Sequence, residues 1–510
     1  MKRFTFIIAL FVILLDAYAQ SEPRFYMDDN GVTIKCENCS SGDTGRVNEV
    51  LYEAVDRALL EQRINEDADL SKVCTSLLND LSKLFYKKSS FNQDISSWDV
   101  SNVTDMSEMF VQTPFNQSLK YWDVSNVTEM IDMFREARSF NQDLDSWNVS
   151  SVINMRGMFA YAISFNQPLL DWDVSKVTDM EGMFLYAISF NQSIDEWVVS
   201  NVKNTVSMFM GATSFNQPLE SWDVDTVESM SNMFKDATSF NQPIGSWDVS
   251  KVVSMSDMFW GATNFNQSIG SWDVSNVRYM DGMFRGARNF NQEINAWDIG
   301  KVEALNLMFT EARSFNKPLS NWDVSGIQRF YNMFWGATSF NQSLENWDVS
   351  EARNMDNMFH DATSFNQPLS NWNVRKVVSM NGMFMGATSF NQNISNWCVK
   401  NVSFEPRDFA TDCPLINEFK PNWGNCGSVD HLFESMINEA IFYPNPAQDK
   451  LVLKRSGKVL VQIINLNGKL ILQKEINEND VIDVSHFPRG IYFIKINQND
   501  NRRTEKLVLN

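Results

Sequence analysis

Thirteen tryptophans recur along this chain at one interval. Trp98, Trp122, Trp147, Trp172, Trp197, Trp222, Trp247, Trp272, Trp297, Trp322, Trp347, Trp372 and Trp397 lie 25 residues apart, except for a first step of 24. Around each stands nearly the same phrase, as in TSFNQPIGSWDVSKVVSMSDMFWGA at 238–262. A unit of this size cannot bury its own apolar face, so it must lie against its neighbours. The expected fold is therefore a repeat solenoid, in which 510 residues form many coils rather than several separate cores.

Each coil reads as two elements. In Ile244–Val252, Trp247 and Val249 flank Asp248, the period of two that predicts a short strand. Stacked coils would place these strands in one parallel sheet with a spacing of about 4.8 Å. Val252, Met255, Met258, Phe259 and Ala262 then share one face of a short helix or 3₁₀ turn. The methionine stripe reads as core filler between coils rather than a copper site or a binding groove.

Two polar columns stand out. Phe-Asn closes every coil, and Asn116, Asn141, Asn166, Asn191, Asn216, Asn241, Asn266, Asn291, Asn316, Asn341, Asn366 and Asn391 never vary. A carboxamide both donates and accepts, so these residues are expected to form a buried ladder that pairs the backbone of successive corners. The position after Trp carries Asp99, Asp123, Asp173, Asp223, Asp248, Asp273, Asp298, Asp323 and Asp348, but Asn148, Val198, Asn373 and Cys398 also occur there. Two readings stand for this column: Asx bonding to the following Ser and backbone amides, or an exposed ligand stripe for calcium or a cationic partner.

The flanks differ from the array. Residues 1–19 read as a signal peptide: Lys2 and Arg3, an apolar run from Phe4 to Leu15, then Ala17-Tyr18-Ala19 before the cleavage point. The mature chain is expected to carry no transmembrane segment. A net charge of −20 argues against nucleic acid as a partner. Six cysteines, Cys36, Cys39, Cys74, Cys398, Cys413 and Cys426, sit at the two ends of the repeats and read as disulfides of an exported protein. Cys36-Glu-Asn-Cys39 has zinc or redox spacing, but no second Cys or His pair completes four ligands. The last seventy residues form short alternating runs broken by NG, ND and RG, which predict a small all-β sandwich.

The unit FNQ-x-[IL]-x-x-W-D-V-S-x-V-x-x-M-x-x-MF-x-x-A resembles the BspA-like leucine-rich-repeat surface proteins of bacteria. That resemblance implies a leucine-rich-repeat-like solenoid over 87–397 in about twelve repeats. It also implies an N-terminal cap with a degenerate first coil over 20–86 and a closing cap over 398–426. The caps imply pairing of Cys36 with Cys74 and of Cys398 with Cys426. Beyond a linker at 427–440, residues 441–510 resemble a type A sorting domain of type IX secretion through Tyr443, Pro444, Asn445, Pro446, Gly490, Tyr492, Lys506 and Leu507. The second resemblance implies engagement of the type IX secretion machinery and a place outside a Gram-negative cell, released or at its surface.

His360, His431 and His486 lie in no triad-like or zinc-protease context, and there is no phosphate-binding glycine loop. No catalytic, cofactor or metal residue is assigned, and calcium remains only the second reading of the Asp column. The expected function is adhesin-like binding of an extracellular protein or glycan; the alternative is a structural scaffold of the cell surface.

Overall fold

A computed structural model describes residues 22–426, together with 442–443, 447, 449–453, 459–465, 469–477, 480–498 and 501–509. The expected signal peptide, the linker and Pro444–Pro446 lie outside the described residues. The chain divides into two compact units, residues 1–425 and 426–510.

The first unit opens with an antiparallel hairpin of β1 (Arg24–Met27) and β2 (Ile34–Glu37). A second sheet follows, in which β4 (Val50–Ala54) pairs antiparallel with β3 (Thr44–Val47) and parallel with β5 (Val73–Cys74). Between β4 and β5 runs α1 (Arg57–Asn65), capped where Asp56 Oδ1 accepts from the Leu59 amide at 2.9 Å.

From residue 75 to 416 the described chain contains no helix and no strand longer than an isolated bridge. The expected helix at 252–262 is instead a run of linked turns. Met258, Trp260 and Ala262 donate their amides to the carbonyls of Met255, Asp257 and Phe259 in the same coil. The alternate amides of Met255, Asp257, Phe259 and Gly261 donate to Tyr279, Asp281, Met283 and Arg285 in the next coil, at 2.7–2.9 Å. Seven of the eight amides from Met255 to Ala262 are thereby paired without a helix.

Two left-handed residues per coil force this geometry. Asp257 has φ +57° and Gly261 has φ +71°, and the same two positions recur in the neighbouring coils as Asn232 and Asp236, and as Gly282 and Gly286. An α-helix tolerates no such residues. At Gly261 there is a steric reason as well: a Cβ there would sit 2.1 Å from Asp236 Oδ1 in the coil before. The expected strand is also displaced. Trp247–Val249 stays irregular, and the parallel bridges run through the residue before the first Met, as in Ser229–Ser254 and Ser254–Tyr279.

Inside, the rings stack in register. Phe259 faces Phe284 at 5.8 Å, Phe265 faces Phe290 at 6.1 Å and Trp247 faces Trp272 at 6.5 Å, each pair nearly parallel. Within one coil Phe259 and Phe265 stack at 3.9 Å. The resulting core is continuous from Val55 to Leu415. At its far end the stacking stops: Phe409 meets Phe384 edge-on at 89°, and Trp423 meets Phe409 at 81°.

The cysteines require a correction. Cys36 is bonded to Cys39, not to Cys74. Asn38, at φ +57°, folds the loop so that the two Cα atoms lie 6.0 Å apart, within bridging range. Cys74 stays a free, buried thiol, held against the Ile34 carbonyl at 3.3 Å and Ser76 Oγ at 3.5 Å. Burial pushes that thiol above its ordinary value. Cys398 and Cys426 are each disulfide-bonded, and Cys413 is the second free thiol.

The second unit contains seven strands among its described residues. β6 (Phe442–Tyr443), β7 (Lys450–Leu453) and β10 (Val481–Asp483) form one sheet in the order β10-β7-β6. β8 (Val459–Asn465), β9 (Leu470–Ile476), β11 (Gly490–Gln498) and β12 (Asn501–Leu509) form the other, in the order β12-β11-β8-β9. All described pairings within the two sheets are antiparallel. Alternation along β8 and β11 buries Val459, Val461, Ile463, Tyr492, Ile494 and Ile496, which join Leu451 and Ile482 of the smaller sheet in one core.

Candidate functional site

The surface of the array is decided by which columns are already engaged in holding coils together. Each ladder Asn accepts the amide of the Asn one coil later on its Oδ1, from Asn92–Asn116 to Asn366–Asn391, at 2.8–3.1 Å. The following Gln adds a second donor, as Gln242 Nε2 does to Asn216 Oδ1 at 3.1 Å. Asn316 has the amide bond alone to Asn291, because Lys317 replaces Gln and reaches Glu293 at 3.1 Å instead. The ladder is half-buried rather than buried: Asn141 to Asn366 are partly covered, and Asn391 is exposed.

Tryptophan has a second role that the sequence reading missed. In each of the thirteen repeat tryptophans the indole N–H donates to a backbone carbonyl at 2.9–3.1 Å: Trp98 to Leu70, and each of the others to the apolar residue three positions before the preceding repeat Trp. A buried carbonyl needs a donor, and Phe in this column could not supply one. The signal was present in the invariance of Trp where Phe would fill similar space.

The Asp column forms Asx turns. Oδ1 of Asp123, Asp173, Asp223, Asp248, Asp273, Asp298, Asp323 and Asp348 accepts the amide two residues on, at 3.0–3.3 Å. Asn148 and Asn373 do the same, which explains their substitution for Asp. Asp99 differs in being buried, with a second bond from Ser76 Oγ at 2.5 Å. Val198, unable to accept, is 56 % exposed. No group of three metal-ligating side chains occurs among the described residues.

The hydroxyls and then the amides of Ser175, Ser250 and Ser275 hold Asp173, Asp248 and Asp273 below the ordinary carboxylate value of 3.8. A depressed folded value means that this stabilisation is complete above pH 3.8 and is lost as the pH falls through the lower, folded value. Asp248→Ala should therefore destabilise the array at pH 7 by about 0.5 kcal/mol, and by less at pH 3, because the site is exposed. Asp248→Asn should match the parent at pH 7 and lose the pH dependence. Chemical denaturation at the two pH values reads both effects.

After the Met-Phe pair comes a varied column, Arg135, Ala160, Leu185, Met210, Lys235, Trp260, Arg285, Thr310, Trp335, His360 and Met385. Arg135 is exposed, most of the others are partly covered, and Ala160 and Thr310 are buried, with Thr310 Oγ1 donating to the Asn332 carbonyl at 2.6 Å. Lys235 Nζ sits 3.5 Å and Arg285 Cζ 4.0 Å from the Trp260 ring centroid. Beside them Asp257, more than half covered, has its carboxyl pushed up by desolvation, opposed by the two cations.

In the second unit, the residues expected for sorting are dispersed. Gly490 opens β11 at φ +146°, a conformation that glycine alone adopts readily. Tyr492 is buried and donates its hydroxyl to the Pro488 carbonyl at 2.7 Å. Leu507 is buried in β12; Tyr443 and Lys506 pair with Val452 and Phe493 through their strands.

These features define a repeat protein with a uniform interior and a variable exterior, followed by an all-β tail. The chain belongs to the family described as Mycoplasma protein of unknown function, DUF285, whose model matches residues 54–172, 162–253, 229–334 and 318–423. Residues 441–510 match the secretion system C-terminal sorting domain. No curated protein matches the chain. The tail directs type IX secretion, to the cell surface or beyond it, and no helix among the described residues is long and apolar enough to cross a membrane.

Proposed function

We propose that residues 87–397 form a leucine-rich-repeat-like solenoid of the BspA-like kind, and that the exported protein acts as an adhesin through an extracellular protein or glycan. The observation that carries this reading is the contrast between columns. Inner positions hold Phe, Met, Trp and Asn almost without change, whereas the column from Arg135 to Met385 runs through cations, aliphatics, aromatics and histidine. Many equivalent coils displaying a varied surface suit multivalent capture, which raises avidity by roughly 10²–10⁴. No catalytic step is assigned to the chain.

Arrays of glycans and extracellular proteins, probed with the full mature chain, test the reading. Saturable retention that survives removal of residues 441–510 is the expected result. Retention by nothing, or only through the tail, overturns it in favour of the surface scaffold, which the uniform interior would also serve.

A further inference from the structure

We infer that the face carrying the Asn ladder binds a neutral, linear glycan laid along the array, one sugar against each coil. The inference rests on the ligand-binding reading above, names the ligand class, and places the contact on a different, nearly uniform strip of the same coils. Its first support is charge. About one residue in eight of the chain is acidic, yet the five positions ending in Asn-Gln (Asn-Lys at 316–317), in all thirteen copies from 89–93 to 388–392, contain no Asp or Glu. Most coils present Thr or Ser hydroxyls, Asn and Gln there, with the Phe between them turned into the core. Elsewhere the surface is strongly anionic, so this strip is chemically separate from it.

Unused hydrogen-bonding capacity is the second support. The Oδ1 of each inner ladder Asn receives the next coil's amide, and in most coils the Gln Nε2 as well. Among the described residues, no bond is made by Nδ2 of Asn166, Asn191 or Asn216, or by Oε1 of Gln192, Gln217 or Gln242. Among the described residues the only buried polar side-chain atom without a partner is Asn332 Oδ1, so these donors and acceptors are open to solvent. Each of these coils thus offers one donor and one acceptor beside exposed hydroxyls such as those of Thr213 and Ser214. Sugar hydroxyls both donate and accept, and match that set.

Spacing and shape complete the case. Beside the ladder, the Phe rings of successive coils stand 5.8–6.3 Å apart, a repeat of the same order as one extended pyranose ring with its linking oxygen. A polymer of such units meets several coils at once, so weak contacts add. Where the ladder ends, an open hollow of about 340 Å³ is lined by Pro368, Ser370, Gln392, Asn393, Ser395 and Asn396, all uncharged. Acidic glycans find few cations on this face, chiefly Arg138, Arg288, Arg313 and Lys317.

Affinity electrophoresis of the full mature chain in gels containing hydroxyethyl cellulose, xylan, polygalacturonate or chitosan tests the assignment. The expected result is retardation by a neutral polymer, strengthening with oligosaccharide length in competition. The variant Thr213→Arg/Thr238→Arg/Thr263→Arg blocks the face, in a column where Arg288 and Arg313 already occur, and should weaken retention at least tenfold. Ile153→Arg/Val253→Arg/Val378→Arg, in an exposed column that already holds Arg278 and Arg353, should leave it unchanged. Equal retention of both variants, or retardation only by charged polymers, overturns the inference. A chain that binds a protein on the arrays but no neutral polymer sinks this inference alone; one that binds neither sinks the adhesin reading too.

Discussion

Phe259→Ala should lower the stability of the array by about 3–5 kcal/mol, the loss typical of removing a fully buried phenylalanine. The ring touches Phe265 at 3.9 Å in its own coil and stands 5.8 Å from both Phe234 and Phe284. Because coils communicate only through neighbours, the vacancy should do more than shift one transition. It should divide the calorimetric melt into two, one from the coils before residue 259 and one from those after it. Phe259→Leu should restore most of the loss and a single transition. A parent-like melt for the alanine variant would mean that the ring column is not what couples the coils.

A chain ending before residue 441 should fold its array and fail to leave the cell envelope, giving no surface or culture-medium signal by immunoblot. The tail acts as a folded domain rather than a bare tag, and Ile494→Asp tests this. Ile494 is 1 % exposed in the seven-strand core, and an unpaired carboxylate there costs several kcal/mol. The variant should be retained like the truncation, whereas Phe493→Ser, on the outward side of the same strand, should keep the core intact. Normal export of the Ile494→Asp chain would place the signal in a linear segment.

Much of the interior was legible before any coordinates. An Asn that never changes, a fixed Phe and a Met column are what stacked coils require, and the structure places those Phe rings in register. The local conformation was read less well. Apolar spacings of three and four suit a helix, but turns closed every third residue yield the same spacing. The distinguishing signal lay in Gly282 and Gly286, four apart inside the supposed helix, where helix propensity is poor and left-handed backbone easy. The Asp column was legible through its exceptions: Asn148 and Asn373 keep the Asx acceptor, and Val198 gives it up at the surface. Cys36 and Cys74 were misjudged because a pairing implied by resemblance says nothing of Asn38, whose positive φ brings Cys39 round instead.

The alternating hydrogen bonds between coils carry one consequence for how such a chain changes over time. Every coil donates to the next through its turn amides and to the one before through its Asn amide and indole N–H, so one coil fits on another. Duplication or loss of 25 codons therefore leaves both ends correctly seated and the reading frame intact. Length becomes an adjustable trait, separable from both the closing segments and the export tail.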